Sequence, residues 1–192
     1  MKKMILVVVY MLGTYINYAN ADNNAPFNDN PKRIKIEFFN VKKGHSLTIK
    51  GKQGGIIYNE EIKNTGDFSK TFDLTALKKG DYTVELNKDF EIIIKSFSVD
   101  AGNVTFLIEK QETIFKPVFR TKEDLVIISR LNFNKEPLNI VIFYDDEKIY
   151  SEIVKGKKIV KRVYKLSAKE KGDYEIVMSS NGRVFIENFK IQ

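Results

Sequence analysis

Residues 79–86 (KGDYTVEL) recur 92 positions later as residues 171–178 (KGDYEIVM), and the first four residues of the two stretches are identical. The matches continue at this spacing on both sides. They pair Tyr58 with Tyr150, Glu60 with Glu152, Phe72 with Tyr164, Phe97 with Phe189 and Val99 with Ile191. An ordered series of matches at one spacing indicates an internal repeat. The sequence therefore predicts two copies of one domain in tandem, each of about 75 to 90 residues, a size that can bury one core.

The repeat also gives provisional domain limits. Upstream of the repeat centre we place the spacing at 91, because Leu47 and Ile49 then match Leu138 and Ile140. A one-residue slip in a loop accounts for the change of spacing. We expect the first domain to span residues 32–106 and the second residues 107–192, with the boundary within residues 100–112.

Hydrophobic alternation predicts the secondary structure of both copies. Ile34, Ile36 and Phe38 alternate with polar residues, which is typical of a half-buried strand, and clusters such as residues 64–67 and 180–182 mark turns. Short strands with no long helical period predict an all-β fold, here two tandem immunoglobulin-like antiparallel β-sandwiches. The expected strands are residues 34–39, 46–51, 55–62, 69–74, 80–87, 91–99, 104–109, 113–121, 125–133, 138–144, 148–154, 159–166, 172–179 and 183–191.

The repeated Gly-Asp-Tyr has a structural explanation. In immunoglobulin-like sandwiches a tyrosine at the corner before a late strand packs on the core, and its hydroxyl bonds back to nearby backbone. Gly80 and Tyr82 have the required spacing in the first copy, and Gly172 and Tyr174 have it in the second. We predict a structural tyrosine corner in each copy, although Lys169 replaces the leucine that precedes the first corner.

The second copy resembles the C-terminal sorting domain of bacterial type IX secretion and related immunoglobulin-like modules of exported proteins. The resemblance rests on the apolar strand 138–144, the Ile149-Tyr150 strand, the Lys-Gly-Asp-Tyr stretch and the closing Phe189-Lys190-Ile191. It implies a seven- or eight-stranded sandwich that an outer-membrane export machine recognises. The turn at residues 145–148 lacks the glycine that such domains usually carry.

The N-terminus has the order of a secretory signal peptide. Lys2 and Lys3 precede an apolar run over residues 4–12, and Ala19-Asn20-Ala21 supplies the small residues of a cleavage site. We expect residues 1–21 to be removed after Ala21 and residues 22–31 to form a flexible tether. The mature chain is then secreted to the cell surface or periplasm. No later stretch is long and apolar enough to span a membrane.

Charge and composition exclude several function classes. The formal net charge is +7, but lysines alternate with acids along the chain, which indicates an ordinary solvated surface and not a nucleic-acid site. There is no cysteine, so disulfides, thiol nucleophiles and cysteine-ligated zinc are excluded. We expect no cofactor.

No residue pattern points to catalysis or metal binding. The only histidine is His45, which we expect to be an exposed turn residue, and the adjacent Ser46 would point to the opposite face of a strand. Asp145, Asp146 and Glu147 fill the predicted turn between two strands. A hairpin turn explains them, with calcium binding as the alternative. The sequence therefore predicts a protein that is not an enzyme.

Adjacent aromatic residues are the candidate binding groups. Phe38-Phe39 and Phe143-Tyr144 each place two rings on opposite faces of one strand, so one ring of each pair can remain exposed for a partner. We expect an interaction or structural module that binds a protein at the cell envelope. The alternatives are a sorting-domain-like protein that binds the export machinery, and a glycan-binding module. The sequence leaves the oligomeric state open.

Overall fold

The computed structural model describes residues 33–101, 103–167 and 170–191, and these form β-strands without a helix. None of the described segments is therefore a helix that could cross a membrane. The strands are β1 (Arg33–Val41), β2 (Ser46–Gly51), β3 (Ile56–Glu61), β4 (Gly66–Asp73), β5 (Gly80–Asn87), β6 (Glu91–Asp100), β7 (Asn103–Phe115), β8 (Val118–Lys122), β9 (Leu125–Leu131), β10 (Leu138–Tyr144), β11 (Glu147–Val154), β12 (Ile159–Lys165), β13 (Gly172–Ser180) and β14 (Arg183–Ile191).

In the first half of the chain, two antiparallel sheets enclose one hydrophobic core. The five-stranded sheet has the order β3-β2-β5-β6-β7, and the two-stranded sheet pairs β1 with β4. Alternate residues of both sheets point inward, as the sequence pattern predicts. Ile36, Leu47, Val84, Leu86 and Phe97 are among the fully buried side chains of this core.

The second half repeats this arrangement. The four-stranded sheet has the order β11-β10-β13-β14, and the three-stranded sheet has the order β12-β9-β8. Ile128, Ile140, Ile142, Ile176 and Met178 are buried between the two sheets. The two halves are joined by Lys116 and Pro117, and Lys116 donates a backbone hydrogen bond to Phe90.

The strand order is that of an immunoglobulin-like sandwich. In the second half, β8, β9 and β12 correspond to strands A, B and E, while β11, β10, β13 and β14 correspond to C′, C, F and G. In the first half, β1 and β4 correspond to B and E, and β3-β2-β5-β6 correspond to C′, C, F and G. The predicted fold class, all-β with two tandem immunoglobulin-like antiparallel sandwiches, is confirmed.

The strand register corrects one part of the repeat alignment. Leu47 pairs with Leu86, and in the second half Ile140 pairs with Met178, the residue equivalent to Leu86. Leu47 is thus equivalent to Ile140, and the spacing in this strand is 93, not the predicted 91. The loop before β10 is two residues longer than the loop before β2, and the hairpin after β10 is shorter, so the spacing returns to 92 in the following strand.

The structure also differs from the prediction between residues 104 and 121. A break was expected after residue 109, but β7 runs from Asn103 to Phe115 and pairs with β6 at both of its ends. The register shifts between Ile94 and Ser96, so residues 108–111 form a bulge opposite Lys95. A bulge disrupts the ladder locally without ending the strand, which explains the polar interruption in the sequence. The division of the chain into two folding domains, and its boundary, stay predictions.

Two other predictions lie outside the described residues. These are the signal peptide at residues 1–21 and the tether at residues 22–31.

Candidate interaction surface

The four-stranded sheet of the second half has an apolar face that points away from its own core. Ile153 on β11 and Val184 and Ile186 on β14 are 57%, 59% and 53% exposed, and Ile149 is about as exposed at the bulge of β11. Val141 and Val177 lie between them on the central strands and are half-buried. We call these six residues the apolar outer face.

Register places the members of this face side by side. Val141 pairs with Val177, and Val177 pairs with Ile186, so three aliphatic side chains form one row across the sheet. Ile153 pairs with Asn139 and Val184 pairs with Ser179, which gives a neighbouring row that is apolar at both ends. Directly opposed side chains in a sheet are about 5 Å apart, so Val141, Val177 and Ile186 form a continuous aliphatic row. Val184 lies beside Ile186 on β14, while Ile153 and Ile149 lie on β11 on either side of Ser151.

The equivalent face in the first half is covered by the second half. Ile92, Ile94 and Ile114 form a buried cluster on the outer face of the five-stranded sheet, and Phe185 of β14 packs against it. Phe115 and Phe133 add an edge-to-face contact with ring centroids 5.6 Å apart. We call this contact region the joint.

A buried carboxylate completes the joint. Glu85 accepts two hydrogen bonds from the Arg183 guanidinium, at 2.8 and 3.2 Å, and one from Lys50 Nζ at 2.7 Å. Burial alone would raise the pKa of the Glu85 carboxyl, but the hydrogen bonds from Arg183 and Lys50 outweigh burial and hold this pKa below its ordinary value. Glu85 is therefore an ionised carboxylate that ties the two halves together.

The repeat shows how the two faces diverge. Glu85, Ile92 and Ile94 are equivalent to Val177, Val184 and Ile186. In the first half these positions are buried under the second half. In the second half the three equivalent positions are aliphatic, and no described residue packs over them as Phe185 packs over Ile92 and Ile94. Sequence reasoning missed this surface, although Val184-Phe185-Ile186 is apolar on both faces of its strand and could have indicated it.

The predicted partner-binding aromatics occupy four different environments. Phe38 is buried in the first core, whereas Phe39 is 67% exposed on the first half. Tyr144 packs against the second core, with its ring 4.8 Å from that of Tyr174. Phe143 is half-buried and pairs with Glu175 next to the apolar outer face. The structure thus brings one of the four residues, Phe143, to that surface.

Both tyrosines of the repeated motif bond back to the chain. The Tyr82 hydroxyl donates to the carbonyl of Lys78 at 2.7 Å, and the Tyr174 hydroxyl donates to that of Glu170 at 2.8 Å. Each ring stacks on the phenylalanine of the next strand, at 5.3 Å in both halves. A Cβ atom at Gly172 would lie 2.8 Å from the Tyr144 ring, so close packing restricts this position to glycine. Gly80 meets no such contact.

The prediction that His45 is exposed is wrong. The imidazole is 4% exposed; its Nδ1 accepts a hydrogen bond from the Lys42 amide at 3.0 Å, and its Nε2 lies 3.5 Å from Asp89. His45 is the residue before β2, and its backbone bonds to Ile62. Leu138 holds the equivalent place opposite Val154 in the second half. His45 is therefore buried because its position faces the core.

The acidic turn is a two-residue hairpin. β10 ends at Tyr144 and β11 begins at Glu147, and both Asp145 and Asp146 have positive φ angles, 46° and 66°. This is the conformation of the tight hairpin turns that match the twist of a sheet. Within residues 33–101, 103–167 and 170–191, no three or more His, Cys, Asp or Glu side chains form a group that could hold a metal ion.

A second polar cluster occurs in both halves, with its carboxylate and its cation at equivalent positions and its tyrosine on a different strand in each half. In the first, Glu60 on β3 accepts hydrogen bonds from Lys70 of β4, at 2.5 Å, and from Tyr58. In the second, Glu152 accepts one from Arg162 at 2.8 Å and one from Tyr164. The hydrogen bonds from Lys70 and Tyr58 lower the pKa of the Glu60 carboxyl. Each cluster links the edge strands of two facing sheets, so we assign it to the fold and not to a binding site.

Comparison with known proteins adds little to this description. No family model and no curated protein matches the chain. Among solved structures, the BSP domain of a biofilm associated protein is 7% identical to this chain, with a TM-score of 0.28. The alignment covers 82% of this chain and 27% of that structure, so this chain spans about a quarter of the length of that structure. The human OSCAR ligand-binding domain is 8% identical, with a TM-score of 0.25 and coverage of 84% and 90%. The extracellular domains 3–5 of Drosophila OTK are 7% identical, with a TM-score of 0.22 and coverage of 84% and 91%. Similarities this low carry no argument about function.

Proposed function

We propose that the protein is an exported, non-enzymatic interaction module, and that its apolar outer face binds a protein partner at the cell envelope. The observation that carries the proposal is the uncovered aliphatic surface on β11, β10, β13 and β14. Contiguous apolar patches are uncommon on the surface of soluble domains, and large ones mark interaction sites. Export rests on the signal peptide predicted at residues 1–21.

The chemistry of the face favours a protein over a sugar. Sugars are bound by stacking on exposed aromatic rings. Among the described residues, the only ring beside this face is that of Phe143, and it is half-buried. Aliphatic side chains bordered by polar residues, here Glu175, Asn188 and Lys190, match the apolar core and polar rim of a protein interface.

We further propose that each half is a separate folding domain and that the boundary lies at Lys116 and Pro117, just beyond the range 100–112 predicted from the sequence. Two observations support this division. Each half has its own buried core, and β7 pairs with the first half as far as Phe115, which places the change of sheet after that residue.

Photo-crosslinking in the native host tests the proposed function. A photoreactive phenylalanine at position 186 or 153 is expected to give an adduct with one protein partner, and the same residue at position 57, an exposed aliphatic position of the first half, is expected to give none. Ile153→Lys is expected to reduce the adduct at position 186 at least tenfold, because a charge buried without a partner disfavours the complex.

The identity of the crosslinked protein separates the alternatives. An outer-membrane export component would support the sorting role. Equal adducts at positions 186 and 57 would contradict a specific surface. Export is tested in the same cells by the mature N-terminus, which is expected at Asp22; an uncleaved chain in the cytoplasm would overturn that part of the proposal.

A further inference from the structure

The other sheet of the second half carries a different outer face. On β8, β9 and β12, the residues that alternate with the buried Val126, Ile128 and Val160 point away from the core. Cations among these outward side chains are Arg120, Lys122, Lys161 and Lys165, and none of the outward residues of the three strands is acidic. We call this surface the cationic sheet face.

The four cations are distributed over the sheet and not confined to one edge. Lys122 and Lys165 flank Leu125 in one row of paired residues, and Arg120 lies in the next row. Lys165 has a carboxylate within 4 Å, that of Asp124 at 3.8 Å. For the other three cations, no ion pair with a carboxylate occurs within the described part of the chain. The adjoining turn, residues 155–158, adds three exposed lysines.

Aliphatic side chains lie between these cations. Ile159 and Val163 on β12 are 55% and 61% exposed, and Leu131 and Ile127 on β9 are exposed to a smaller extent. Val163 pairs with Ile127, which in turn pairs with Arg120. The face therefore combines positive charge with accessible hydrocarbon on one side of the sheet.

The fold does not require this combination, as the first half shows. On the equivalent face of β1 and β4, Arg33 forms an ion pair with Asp73 and Lys35 forms one with Glu37. The residues that pair with Lys35 and Glu37 across this sheet are Thr71 and Ser69. The first half thus has a neutralised polar face, whereas the described part of the second half has three cations without an ion pair, with aliphatic side chains between them.

We propose that the cationic sheet face docks on a lipid surface that contains anionic headgroups. Each Lys or Arg near such a surface contributes about 1 kcal/mol to binding, and apolar side chains that enter the headgroup boundary add to it. An acidic polysaccharide also matches the charge, but the outward residues of this face include no aromatic ring for stacking. The exposed aliphatic residues favour lipid. The face is on the sheet opposite the apolar outer face, so the inference does not depend on the proposed function.

Vesicle co-sedimentation tests the proposal. The protein is residues 22–192, which retain every described residue and omit the apolar N-terminal run that could bind lipid by itself. We expect binding to vesicles of phosphatidylcholine and phosphatidylglycerol at three to one, and little binding to phosphatidylcholine alone. Lys161→Glu with Lys165→Glu is expected to weaken binding by at least about thirty-fold.

Two matched variants complete the experiment. Lys43→Glu with Lys52→Glu changes the net charge equally on the first half, and is expected to weaken binding less than threefold. Ile159→Thr with Val163→Thr keeps strand propensity and charge but removes hydrocarbon, and is expected to weaken binding about tenfold. Circular dichroism shows whether each variant is folded.

The outcomes separate the interpretations. Equal binding to neutral and anionic vesicles, or equal losses in the Lys43/Lys52 and Lys161/Lys165 variants, would overturn the proposal. Binding to soluble dextran sulfate but not to anionic vesicles would also overturn it, in favour of an acidic polymer. If the threonine variant binds as tightly as the parent protein, the hydrocarbon has no role and a lipid interface is wrong.

Discussion

Replacing Glu85 with alanine is expected to lower the free energy of unfolding by about 3 kcal/mol. Removing one partner from a buried ion pair costs about 3 to 5 kcal/mol, because the remaining charge is left without compensation. The side chain of Glu85 is 11% exposed. We expect the lower end of the range because Arg183 and Lys50 each keep about a quarter of their side chains exposed and can gain some hydration. Urea denaturation measures the difference.

Glu60→Ala is the matched control for this prediction. Glu60 also receives hydrogen bonds from a lysine and a second side chain, but it is 28% exposed and its partners belong to the same half. We expect a loss of about 1 kcal/mol for this more accessible pair. A double-mutant cycle of Glu85→Ala with Arg183→Ala separates the pair from its surroundings. A loss below about 0.5 kcal/mol for Glu85→Ala would contradict a role of this carboxylate in joining the halves.

The stability that Glu85 contributes depends on pH in a defined direction. Its pKa in the folded protein lies below the ordinary 4.5, so the folded state favours the ionised form. The contribution is complete above the ordinary pKa and is lost as pH falls through the lower folded value. The difference between the parent and Glu85→Ala is therefore expected to be constant from pH 7 to about 5 and to shrink below it.

The sequence predicted the sandwiches because burial in this protein follows the strand period closely. Ile34, Ile36 and Phe38 are all buried, as alternation requires. The repeat then extended this inference to the second half. The length of β7 was not predictable in the same way, because three of the four bulge residues 108–111 are polar, as they would be in a loop.

Contacts between the halves limited what the sequence could indicate about sites. Alternation places Glu85 on the outer face of β5, where a carboxylate is normally solvated, and only the packing of the second half buries it. The glycine and polar residues around His45 predict a turn. His45 is buried because its position faces the core, as that of the equivalent Leu138 does at the start of β10. The apolar outer face was accessible to sequence reasoning, but only by asking why both faces of β14 are apolar.

Phe97→Ala is expected to have the largest effect of any substitution considered for this protein, a loss of about 3 to 5 kcal/mol. Phe97 is fully buried in the first core and contacts the rings of Tyr82 and Phe106. Its counterpart Phe189 makes the same stacking contact with Tyr174 but is only partly buried. Phe189→Ala is therefore expected to cost less, about 1 to 3 kcal/mol.

Hydrogen exchange of the Phe97→Ala variant also tests whether the halves are separate domains. If they are, amides of β1 to β6 lose protection while those of β9 to β14 keep most of theirs, since the second core contains no residue of the first. The second half would lose only the stabilisation that it receives from contacts with Glu85, Ile92 and Ile94 in the joint. Equal loss in both halves would show one cooperative unit, and would mean that the joint, and not the two cores, determines how this chain unfolds.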